Sequence, residues 1–73
     1  MKELNIDKKD ILELNRDKNS KGMNIIQYLR SCNCKIIESY TKGGIFEALI
    51  NLNGHILILR AYDDMITSIK IRL

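Results

Sequence analysis

The chain changes its hydrophobic period near Asn33: before it apolar residues recur at three-and-four spacing, and after it they alternate by two. In the first part Asp7 suits an N-cap, Asp10 brings an acid to the third helical position, and Ile6 can staple onto Ile11 across the cap. A first helix is expected over residues 8–16, with a thin apolar stripe of Ile11, Leu12 and Leu14. The polar run 17–22 reads as a loop into a second helix started by Asn19 or Ser20. Gly22, Ile25, Ile26, Leu29 and Cys32 would share one face of it, and Asn33 would end it in the left-handed conformation.

Four strands follow, over 35–41, 45–52, 55–62 and 66–73, broken at Lys42-Gly43-Gly44, Asn53-Gly54 and Asp63-Asp64. Asn-Gly is the preferred pair of a two-residue type I′ hairpin, and it fixes a register. Leu52 then faces His55, Ile50 faces Leu57, Ala48 faces Leu59 and Phe46 faces Ala61, an apolar surface fit to receive the helices. On the other surface Ile45 meets Tyr62, Glu47 meets Arg60, Leu49 meets Ile58 and Asn51 meets Ile56. The opposed Glu47 and Arg60 favour this alignment. A three-residue loop, Asp63-Asp64-Met65, sets Ile69 against Leu59 and Ile71 against Leu57, whereas a two-residue loop would turn Lys70 and Arg72 into the core. For the first strand two registers remain, one burying Glu38 under the helix and one setting it against Glu47.

The expected fold is α+β, two short N-terminal helices packed on one face of a four-stranded antiparallel meander, and residues 1–73 form one small domain. Ile, Leu and Phe supply 23 of the 73 residues, enough for a charged chain to fold. A chain of this length hides only about 60% of its unfolded surface, so association with itself, as a homodimer, or with another protein would help it.

Net charge is +3, with eight Lys/Arg and five Asp/Glu in residues 1–35 and four of each in 36–73, so neither half is a polycation. There is no apolar leader, no long apolar run and no cysteine framework, which points to a cytoplasmic protein away from the membrane. Thirteen Ile without Val or Pro, eight Lys and seven Asn are the usage of A/T-rich codons, as in a low-G+C bacterium, its phages or its plasmids.

Candidate chemistry is thin. Cys32 and Cys34 with the lone His55 fall one ligand short of a zinc site, and Cys32 at a helix C-terminus is placed against thiolate formation. Cys32 reads as a core-face residue and Cys34 as the start of a strand. His55 lacks a nucleophile and an acid to make a trio, and reads as a sheet-end residue. Asp7, Asp10, Glu13 and Asp17 are interrupted by Lys8, Lys9, Arg16 and Lys18, as on a solvated helix with pairs such as Lys9 with Glu13. Asp63-Asp64 suits a turn better than an acid/base pair. Lys42-Gly43-Gly44 and Ser20-Lys21-Gly22 lack the spacer and ending of a phosphate loop, although Ser20-Lys21-Gly22 with Lys18, opening a helix, could hold one anion. The expectation is a non-enzymatic protein with no cofactor and no metal.

What remains is the outer sheet face. Ile45, Leu49, Ile56, Ile58 and Tyr62 form an apolar strip there, flanked by Arg60, Lys70 and Arg72, where an open antiparallel sheet normally turns polar residues to water. These eight residues are the expected partner-binding set. The first helix, a second copy or a target protein could cover them. The leading expectation is a small protein-binding module that inhibits or regulates by occluding a larger partner. Inhibitors of host defence from phages and mobile elements, anti-CRISPR proteins among them, share this size and composition, and no family motif is recognised. The alternative is nucleic-acid binding by the basic sheet face, for which Tyr62 is the only aromatic firmly in position; Tyr28 and Tyr40 would join only in other registers.

Overall fold

The computed structural model describes residues 2–73. In chain order it has β1 (Glu3–Asn5), α1 (Lys8–Ser20), α2 (Ile25–Ser31), β2 (Lys35–Lys42), β3 (Ile45–Leu52), β4 (His55–Tyr62) and β5 (Met65–Arg72). The strands make one antiparallel sheet in the order β1-β5-β4-β3-β2. The α+β class and the two helices on one face of a meander are as the periodicity predicts. The sheet has five strands, not four. β1 adds to the far edge of the meander, with Glu3 opposite Arg72, Leu4 opposite Ile71 and Asn5 opposite Lys70. Three residues with one apolar position carry too little alternation to announce a strand. On the inner face α1 lies against β5 and α2 reaches β2.

α1 starts at Asp7 as expected, although the cap is made by the Asp7 carbonyl, which accepts from the Asp10 and Ile11 N–H groups, and not by its side chain. Ile6 and Ile11 both pack on the core, as the staple requires. The helix runs on to Ser20, through residues expected in a loop. Its buried stripe is Ile11, Asn15 and Lys18, helical spacing carried on polar residues. Gly22, φ +64°, ends α1 in a Schellman motif, with Met23 N–H donating to the Lys18 carbonyl at 3.2 Å; it is no part of a second helix. The second cap is Asn24, not Asn19 or Ser20, and it forms a capping box with Gln27. Asn33, φ +62°, closes α2 as predicted, with Cys34 N–H on the Leu29 carbonyl at 3.1 Å.

The β3–β4 register is residue for residue the one the Asn53-Gly54 turn dictates. Ile11, Ile25 and Leu29 from the helices meet Phe46, Ala48, Ile50, Leu59, Ala61, Ile66 and Ile69 from the sheet in one buried cluster. At the β4–β5 connection, Tyr62 pairs with Met65, so the loop has two residues and not three. Leu59 nevertheless faces Ile69 and Leu57 faces Ile71, because a bulge between Ala61–Ile66 and Arg60–Ser68 leaves Thr67 unpaired and restores the alternation. A second bulge, at Ile37, gives β2 neither of the two expected registers: Ile36 faces Ile50, Glu38 is exposed and faces Leu49, and Tyr40 faces Glu47. Among the described residues no helix is long and apolar enough to cross a membrane.

Candidate functional site

The eight residues expected to bind a partner lie on one surface, opposite the buried cluster. Cross-strand pairing sets Tyr62 beside Ile45, Arg60 beside Glu47, Ile58 between Leu49 and Lys70, and Ile56 between Asn51 and Arg72. Both helices pack on the other side, so among the described residues no helix lies over this face. Ile45 is 41% exposed and Tyr62 57%, whereas Leu49, Ile56 and Ile58 are half-buried by their neighbours in the sheet.

Two members of the face lie outside the expected set of eight. The Ile37 bulge brings Glu38 and Tyr40 onto it, and Tyr40 is 57% exposed. Consecutive Ile36 and Ile37 break the alternation, and that doubled apolar position is the signal of a bulge. With Glu47, Leu49 and Ile58, these two line an open groove of about 340 Å³.

The charges are uneven. Arg60 donates to the Glu47 carboxylate through Nε at 2.9 Å and also through Nη2. The guanidinium, and after it the Tyr40 phenol, hold the Glu47 carboxyl below its ordinary value; in return the carboxylate raises the Tyr40 phenol. Arg60 is therefore neutralised within the sheet. Lys70 and Arg72 form no ion pair among the described residues, and they are the cations of the β5 side, with Glu3 of β1 across from Arg72.

The inner face holds a second concavity that the sequence did not announce. Between α1 and the β3–β4 turn, a cleft of about 790 Å³ opens over Leu52, Leu57, Ile69 and Ile71. Asp10, Glu13, Leu14 and Asp17 of α1 form one wall, Tyr28 stands on the α2 side, and His55 lies at the rim, exposed and on the inner face as predicted. Tyr28 Oη donates to Asp17 Oδ2 at 2.7 Å, and Lys21 Nζ approaches the same oxygen at 3.3 Å. Those contacts, Tyr28 first, hold the Asp17 carboxyl below its ordinary value. Burial and then the carboxylate push the Tyr28 phenol far up.

The remaining polar candidates have structural employment. Lys18, 1% exposed, reaches Asp64 Oδ2 at 3.2 Å and Asn19 Oδ1 at 3.0 Å. Asp64 Oδ1 accepts from Ile25 N–H at 2.9 Å, so the anion at the start of α2 is the chain's own. Ser20-Lys21-Gly22 closes a helix and does not open one, which removes its anion-holding geometry. Cys32, expected on the core face, is exposed, and Cys34, immediately before β2, is half-buried against the core; both thiols are free, and burial raises the Cys34 thiol. Among the described residues no three His, Cys, Asp or Glu side chains converge as metal ligands would. No family model matches the chain, and neither a curated protein nor a solved structure matches it.

Proposed function

We propose that this protein is a small binding module whose outer sheet face docks on a larger protein and occludes it. One observation carries the reading: Leu49, Ile56 and Ile58 make an apolar patch on the face that neither helix covers, with Ile45 and Tyr62 beyond the Glu47–Arg60 pair and Lys70 and Arg72, in no ion pair among the described residues, on its β5 side. A patch of that kind rimmed by polar groups is the ordinary composition of a docking surface, an apolar centre supplying affinity and a charged border supplying orientation. A complementary partner would offer aliphatic or aromatic side chains to the groove at Leu49 and acidic groups to the β5 border. The test compares the intact chain with Leu49→Asp/Ile58→Asp in capture from lysate of the native host, with circular dichroism and solution mass run alongside. Loss of the captured protein by a variant that remains a folded monomer is the expected result; undiminished capture ends the reading.

A second reading, single-stranded nucleic acid on the same face, gains from Tyr40. With Tyr62 it gives two exposed rings flanking the Glu47–Arg60 rank, on the surface that also carries Lys70 and Arg72, and such ligands use stacking platforms together with cations. Oligonucleotide titrations at low and physiological salt distinguish the two. Phosphate-driven binding falls steeply with salt and weakens in Tyr40→Ala, whereas an apolar protein interface is nearly indifferent to salt.

A further inference from the structure

The inner cleft is a separate surface with its own chemistry. Its floor is aliphatic, and its α1 wall carries Asp10, Glu13 and Asp17 at i, i+3 and i+7, a line of carboxylates about 10 Å long at the helical rise. No lysine or arginine lines it, although the chain as a whole is cationic. Asp17 is engaged by Tyr28 and Lys21, but Asp10 and Glu13 form no ion pair among the described residues. The pair Lys9 with Glu13, expected on a solvated helix, is not among the ion pairs. α2, only seven residues long, leaves the Leu52, Leu57 and Ile71 end of the inner face open.

We infer that this cleft receives a basic amphipathic helix from a partner protein, lying beside α1 as a third helix on the inner face. Aliphatic side chains at i, i+3, i+4 and i+7 of that segment settle on Leu57, Ile69 and Ile71. Lysines or arginines at the same period along its flank meet Asp10 and Glu13. The size suits a face of one to two helical turns, within the range of concave ligand sites. The proposal is independent of the outer face.

The probe is an amidated 15-residue peptide of leucine and lysine with leucines at helical spacing. One control scrambles that sequence, and another has glutamate for lysine. Each is titrated into the full chain while side-chain methyl resonances are followed. The patterned lysine peptide should bind about tenfold or more tighter than either control and shift the methyls of Leu57, Ile69 and Ile71. Asp10→Lys/Glu13→Lys should lose about tenfold or more, and Asp10→Asn/Glu13→Gln less; both side chains are on exposed residues, so the fold, checked by circular dichroism, is kept. Leu49→Asp/Ile58→Asp should bind the peptide as the unmodified chain does. Three results overturn the inference: shifts confined to the Leu49, Ile56 and Ile58 methyls, equal affinity for patterned and scrambled peptides, or indifference to the charge reversal. A dimer in sedimentation with the inner methyls already buried against a second copy overturns it as well.

Discussion

Asn15 sits in the helical stripe that faces the sheet, where an aliphatic residue would be the simpler choice. Its amide donates to the Ile66 carbonyl at 2.9 Å and accepts from the Ile66 N–H at 2.8 Å. β1 stops short of this part of β5, so Ile66 would otherwise keep two buried backbone groups without partners. Asn15→Ala should cost about 2–4 kcal/mol in urea unfolding, and Asn15→Leu should do no better, because the loss lies in unmet hydrogen bonds and not in volume. A leucine variant as stable as the original would refute this. Tyr28 and Asp17 form a pair with a pH signature. The lowered Asp17 carboxyl adds stability above about pH 4 that disappears as pH falls through its folded value. The raised Tyr28 phenol adds stability below about pH 10 that disappears as pH climbs toward its folded value. The stability gap between the original chain and Tyr28→Phe should therefore be widest between about pH 5 and 9 and narrow on both sides, measurable as melting temperature against pH.

The hairpin turns differ in what holds them at the scale of the element. Asn53-Gly54 and Asp63-Asp64 both take positive φ at two residues, the geometry of type I′. The first pair prefers that geometry intrinsically, and so its register could be read from the sequence alone. The second does not; tertiary bonds hold it, since Asp64 takes the buried Lys18 ammonium with one oxygen and the first N–H of α2 with the other. Adjacent substitutions should then have opposite signs. Asp63→Gly, φ +51°, relieves a left-handed residue and should stabilise by about 0.5 kcal/mol. Asp64→Gly strips a buried cation of its counter-charge and should destabilise by about 2 kcal/mol; chemical unfolding of both reads the difference. The same contrast explains what the pattern revealed and what it hid. The β3–β4 pairing, the inner apolar set and the Asn33 terminus were legible because local preference and burial agree there. The extent of α1 was not, because the polar run from Asp17 to Ser20 looks like a loop until Asp64 comes to meet Lys18. β1 was too short to declare itself, and the Thr67 bulge made a two-residue turn compatible with the facing that alternation alone assigned to a three-residue loop.

Across the whole molecule, one hairpin serves two surfaces. Ile50, fully buried, and Leu49, half-buried, are neighbours in β3 and point to opposite sides of the same sheet. Ile50 is enclosed by helices and strands, so Ile50→Ala opens a cavity and should cost about 2–4 kcal/mol. Leu49→Thr keeps a strand-favouring side chain on a face the chain leaves open, and should cost no more than about 1 kcal/mol. Binding is expected to follow the reverse order: the folded fraction of Ile50→Ala retains its affinity for the captured partner, while Leu49→Thr loses it at nearly full stability. Unfolding curves and capture on the same two variants measure both quantities. If Leu49→Thr unfolds as readily as Ile50→Ala, the outer strip belongs to the folding core and has no affinity to spare for another molecule.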